Sequence, residues 1–196
     1  QTPTTTARVC GSTPWNTPCP LTTIRASSTR AGNVRNTTPR KLTSITSPVT
    51  GDMTSNALRP AGWTSADAAG LPILPGLVRY DEAIAGTIAH ALRFTTDHTR
   101  TSYIYPARHQ AGESASASLP PMGLRVRLKA DFDIDGFGPQ AQVILTAMKE
   151  YGMILADNGS PWFFTGSSDI RWDDDQLNEL KSLRGSDFEV VNTSGF

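Results

Sequence analysis

Acid is missing from the opening stretch of this chain. Residues 1–50 contain no Asp or Glu, while Arg8, Arg25, Arg30, Arg35, Arg40 and Lys41 give that stretch a charge of +6. The 196 residues as a whole are neutral, with 18 Lys+Arg against 18 Asp+Glu, so residues 51–196 carry −6. A balanced total argues against a dedicated nucleic-acid binder, whose phosphate contacts need a basic excess. Long apolar runs are missing too. The best one, Leu71 to Val78, is short and broken by Pro72 and Pro75, which excludes a membrane span. Three motifs are also absent: the Gly-x-Ser-x-Gly elbow, His-Glu-x-x-His and a Gly-x4-Gly-Lys phosphate loop. Serine hydrolases of the common type, zincin proteases and P-loop nucleotidases are therefore not indicated.

Cysteine is nearly absent. Cys10 and Cys19 bracket a segment with Gly11, Pro14, Asn16 and Pro18, residues that favour a tight loop. A disulfide closing a loop of about ten residues stabilises by about 2–3 kcal/mol in the chain-entropy model. Zinc would need two further ligands, and the nearest histidine is His90. The spacing thus predicts a Cys10–Cys19 bridge and an oxidising compartment. The sequence begins at Gln1 without a signal-like segment, the expectation for a mature exported protein. Asn36, Asn158 and Asn192 open glycosylation acceptor triplets, a number a Ser/Thr-rich chain reaches near chance. The compartment expected is secreted, extracellular.

The length suits one ordinary domain. Residues 1–51 are Thr/Ser/Pro-rich, with apolar residues at neither helical nor strand spacing. Such a stretch buries too little apolar surface to offset its ordering entropy. It reads as an extended arm, or as short pieces that add edge strands to a body spanning residues 52–196.

In that body, Ile88, His90, Leu92 and Phe94 alternate as on one face of a strand. Ser102–Pro106 is a second candidate strand. From Leu124 to Ile134 apolar residues alternate with Arg125, Arg127, Lys129, Asp131, Asp133 and Asp135, as on a half-wet antiparallel strand. Pro139 suits a first helical turn, Val143, Ile144, Ala147, Met148 and Tyr151 recur at helical steps, and Gly152 suits the stop. Met153–Ala156 and Pro161–Phe164 read as neighbouring strands. Asp173–Asp175 load acid onto the start of a helix running to Leu183, and Phe188–Val191 closes as a strand. The fold class expected is α+β: an antiparallel, sandwich-like sheet with two or three helices on one side.

Several blocks resemble a family of secreted microbial proteins. They are the run from Ser55 to Glu82, His90–Phe94, Pro106–His109, Tyr151–Ser160 and Arg171–Asp175, together covering about residues 53–192. The resemblance implies export and no particular reaction. Members of the family carry a longer upstream half with its own strands and a further histidine, where this chain has the acid-free arm. They also read Ser where Asp135 stands.

Candidate chemistry follows from residue types. Asp131, Asp133, Asp135 and Gly136 match the opening of a calcium loop, but position 12 is Gln142 where a bidentate Glu is required. A solvated strand face, with Arg125, Arg127 and Lys129 as cross-strand partners, is the preferred reading. His98 follows Asp97 in a polar turn and reads as exposed. His90, on an apolar strand face, reads as a satisfied core histidine or as a site residue. If its strand pairs with one ending at His109, the two imidazoles and Asp157 converge to hold a divalent metal or act as acid and base. Asp81 and Glu82 add carboxylates beside Tyr80, and Asp173–Asp175 are better explained as helix-start charges. Arg93 and Arg108 lie in the histidine blocks. With Tyr80, Trp162 and Trp172 they complete a candidate substrate surface, although large aromatics are usually core.

The function expected is action on extracellular polysaccharide through a hydrolase-like or metal-assisted site, the alternative being a non-catalytic carbohydrate-binding or structural module. The cysteine pairing is checked by intact mass. The native protein is expected two hydrogens lighter than its reduced form, with no thiol labelled before reduction.

Overall fold

The computed structural model describes residues 6–7 and 57–193. Cys10, Cys19, the acid-free arm beyond Ala7 and the expected boundary at residue 51 lie outside the described residues. The strands are β1 (Thr6–Ala7), β2 (Leu92–Thr96), β3 (Arg125–Leu128), β4 (Met153–Asn158), β5 (Phe163–Phe164) and β6 (Phe188–Val191). Among the described residues three α-helices accompany them: α1 (Tyr80–Ile84), α2 (Pro139–Glu150) and α3 (Asp174–Glu179). The fold is α+β.

The sheet runs β1-β6-β3-β4-β2-β5. It is mixed, which corrects the antiparallel expectation: β2 and β4 run parallel, from Leu92 against Met153 to Thr96 against Asn158. Parallel neighbours need a long crossover, and here the chain between them supplies β3 and α2. A single sheet with α1 and α3 both meeting α2 stands in place of a sandwich. β5 pairs with β2, Phe164 opposite Phe94, and not with β4 as its position after the Asp157 turn suggests. The backbone of Thr6–Ala7 adds an edge strand to β6.

Cross-strand pairing sorts the side chains into two faces. Leu92, Met153, Val126 and Val190 form one row, Arg93, Ile154 and Arg125 the opposite one. The first row joins Phe94, Leu128 and Leu155 in the core, all with 0% exposure. Helix α2 adds Ala141, Ile144, Leu145, Ala147 and Met148, buried at the three- and four-residue steps of one helical stripe. Pro139 stands in its first turn, and Tyr151 closes it.

The long alternation after Leu124 yields only four strand residues. β6, the outer partner of β3, pairs as far as Leu128 opposite Phe188, and the chain then turns back through Phe132 N–H to Lys129 O. Phe132 and Ile134 pack on the core all the same, and Lys149 Nζ donates to the carbonyls of Phe132 (2.5 Å) and Ala130 (3.1 Å). The alternation therefore reports burial and not a ladder. Arg127 pairs with Glu189 and Arg125 donates to Tyr151 O, so these arginines do not serve Asp131–Asp135. The segments 88–91 and 102–106 are likewise not strands; Tyr103 makes only an isolated bridge with Met122.

Gly152 reverses the chain between α2 and β4 at φ +73°, where a Cβ would drive into the Val126 carbonyl. Gly152→Ala is expected to destabilise by more than about 1 kcal/mol, read as a lowered midpoint in urea unfolding with an unchanged slope.

Candidate functional site

The side chains expected to carry chemistry fall into two clusters along one strip. The first is built on β2 and β4. Between Phe94 and Thr95 the pairing register shifts, so that Leu155 faces Phe94 but Asp157 faces Thr95. Ala156 is the extra residue, a β-bulge. Without it Asp157 falls in phase with Met153 and Leu155 on the core face. With it, Asp157 shares the face of Arg93, and their side chains meet, Nη2 to Oδ2 at 3.9 Å.

Arg93 is the centre of that cluster. Its side chain is 11% exposed, with Nη1 donating to Thr165 Oγ1 at 3.0 Å and Nη2 lying 3.5 Å from Asp67 Oδ2. Asp67 comes from a loop that folds back on itself. Ser65 Oγ and Leu71 N–H donate to Asp67 Oδ1 at 3.2 and 2.9 Å, and Gly70 takes φ +73° between them. The Asp67 side chain has no exposure. Burial pushes its carboxyl above the ordinary value of 3.8, and Asp157 adds to the rise. The Leu71 N–H, Arg93 and Ser65 oppose it.

His109 and Asp157 bind one residue, Ala68, at its carbonyl and its N–H. Asp157 Oδ1 accepts from Ala68 N–H at 3.3 Å, and His109 Nδ1 lies 3.0 Å from Ala68 O. A carbonyl only accepts, so His109 Nδ1 carries its proton. Residues 107–109 are no strand. Their backbone instead holds the loop, with Arg108 N–H donating to Ala69 O at 2.7 Å, while Arg108 Nε reaches Arg59 O. Arg108 is thereby spent on the scaffold.

His90 goes elsewhere. It precedes β2, half-buried, with Nδ1 at 3.0 Å from Ala91 O and Nε2 at 3.2 Å from Glu82 Oε2. The expected convergence of His90, His109 and Asp157 is thus replaced by two separate pairings. Among the described residues no group of three or more His, Cys, Asp or Glu is placed to hold a metal ion.

The second cluster surrounds α1. Glu82 bridges Arg79 and His90. Tyr80 meets Trp172 edge to face, centroids 5.2 Å apart, and Arg171 Cζ lies 4.2 Å above the Tyr80 ring. Arg171 also pairs with Asp81 at 2.9 Å and Asp169 at 2.6 Å. Its hydrogen bonds hold the Asp169 carboxyl down to about 2. Trp172 Nε1 donates to Ser167 O at 3.0 Å. Asp173, as expected, caps α3 by accepting from Asp175 and Gln176 N–H.

One connection joins the clusters. Thr165, the partner of Arg93, receives Val78 N–H at its carbonyl (3.0 Å), and Ser167 N–H donates to Val78 O (2.8 Å) just ahead of α1. Trp162 stands apart from both. It is 5% exposed and stacks with Phe94 and Phe188, at 5.5 and 5.0 Å. The strip also contains Asp67, Thr165, Arg171 and Asp169, none of which was singled out by sequence. Ser65-Ala-Asp67 before Gly70 carries the signal of a side-chain-capped turn. Thr165 carries none.

Asp67 sets a pH dependence. Its folded pKa lies above the unfolded one, so the protonated form contributes stability that is complete below about pH 3.8 and lost as pH rises through the folded value. Asp67→Asn, which cannot ionise, is therefore expected to flatten this dependence, the difference in melting temperature between variant and parent moving in the variant's favour as pH rises above 3.8. No protein-family model matches the chain, and no curated protein or solved structure matches it.

Proposed function

We propose that the protein is exported and binds extracellular polysaccharide along the strip from Tyr80 and Trp172 to Arg93 and Asp157. The supporting observation is the continuity of half-buried rings with arginines and carboxylates that hold one another in place. A sugar ring offers an apolar face and a rim of hydroxyls; flat rings meet the former, and oriented guanidinium and carboxylate groups the latter. The resemblance to secreted proteins and the cysteine spacing support the compartment.

Recognition is favoured over turnover by the state of the acids. Glycoside hydrolysis needs a carboxylic acid that keeps its proton and reaches the leaving oxygen. Asp67, the carboxyl lifted by burial, is closed off from any glycosidic oxygen. Asp81, Glu82 and Asp157 each face an arginine. A hydrolase-like or metal-assisted reaction is the second reading, and the meeting of His109 and Asp157 at Ala68 favours it. Those two donors are then the ligands a divalent cation uses first.

Retention on immobilised polysaccharides tests the proposal. The protein is expected to be retained without releasing reducing ends. Trp172→Ala should weaken retention roughly two- to tenfold, in line with the ~0.5–1.5 kcal/mol an aromatic contact carries beyond its area. Reducing ends that appear with the parent and vanish with Asp157→Asn would establish the second reading instead.

A further inference from the structure

On the sheet face opposite Arg93 lies a groove of about 220 Å³ that the strip does not use. Leu119, Leu124, Val126, Trp162 and Phe188 make it apolar. Two charged residues also line it, Glu189 and Arg100. Glu189 is neutralised by Arg127. Arg100 donates from Nε to Ser102 Oγ at 2.9 Å, and among the described residues no carboxylate pairs with its guanidinium.

Trp162 is held in this wall by a strained backbone. Its φ of +62° is the one positive value outside glycine among the described residues, and it is rare for a bulky residue. Strain of this kind persists where surrounding structure demands it, often at ligand sites. Here Trp162 N–H donates to Thr95 O at 2.9 Å, and the indole is stacked by Phe94 and Phe188. Trp162 and Phe188 thus line the groove as a stacked pair.

We propose that this groove binds a small alkyl carboxylate, its chain against Leu124, Val126 and Trp162 and its carboxylate on Arg100. The charge follows from the unneutralised guanidinium, which binds carboxylates in a fork. An aliphatic body is favoured because Leu119, Leu124, Val126 and Val190 make most of the apolar lining. The size follows from the volume, which lies below the roughly 300–1,000 Å³ of sites for drug-sized ligands.

Calorimetric titration of the full chain with hexanoate, octanoate and 1-octanol tests this. Octanoate is expected to bind, and each methylene removed from it should weaken binding roughly fourfold, the value of a buried CH₂. Arg100→Gln should weaken octanoate at least tenfold and leave 1-octanol unchanged. Ala117→Trp, which fills the groove from its exposed edge, should abolish both, with thermal melts confirming that each variant is folded. No octanoate binding by the parent, or binding that both variants leave unchanged, overturns the proposal.

Discussion

β2 and β4 run side by side in the same direction, and one residue more is used on β4 than on β2. That offset at Ala156 is the constraint on which the polar strip depends. A strand alternates its side chains strictly, so Asp157 belongs by parity with Met153 and Leu155 on the core face. The bulge resets the parity for the last residues of β4 and brings Asp157 onto the wet side. Ala156 also accepts Ala69 N–H at 2.9 Å, so the same irregularity anchors the loop that delivers Asp67 and Ala68. Arg93, Asp67, Asp157 and His109 are neighbours because of it.

The charges of the body are organised around arginine. Arg93 stands between Asp67 and Asp157, Arg171 between Asp81 and Asp169, and Arg79 beside Glu82. The two centres differ in burial. Arg171 and its partners are largely in water, where such pairs contribute little to stability. Arg93 and Asp67 have left water, and each depends on the other for compensation. The first arrangement suits a surface that orients side chains for a ligand. The second stiffens the floor beneath it.

The two faces of the sheet thus present different chemistries within a short distance. Arg93, Ile154 and Arg125 face the polar side, while Leu92, Met153, Val126 and Val190 face the core. At the β6 end that core face stays open, and the stacked Phe94–Trp162–Phe188 set closes its floor. Trp162 takes a left-handed backbone inside the Pro161–Phe164 segment that reads as a strand, and its ring is buried against Phe94 and Phe188.

What the sequence determined by itself is local and periodic. Helix α2 was legible from Pro139, the spacing of Ile144, Ala147 and Met148, and the stop at Gly152, because a helix writes its buried stripe and its ends into nearby residues. The cap at Asp173 and the strand Phe188–Val191 were legible for the same reason, as was the α+β class. Tertiary structure alone decided which strands pair and in which direction, since nothing in Leu92–Thr96 names Met153–Asn158 as its parallel neighbour. It also decided where the alternation from Leu124 to Ile134 stops being a strand, because a ladder ends with its partner and not with its pattern. The parting of His90 from His109 had the same origin. Each histidine was identifiable by type, but their partners, Glu82 and the Ala68 carbonyl, were set by a loop and a one-residue bulge whose effect depends on how separate segments meet.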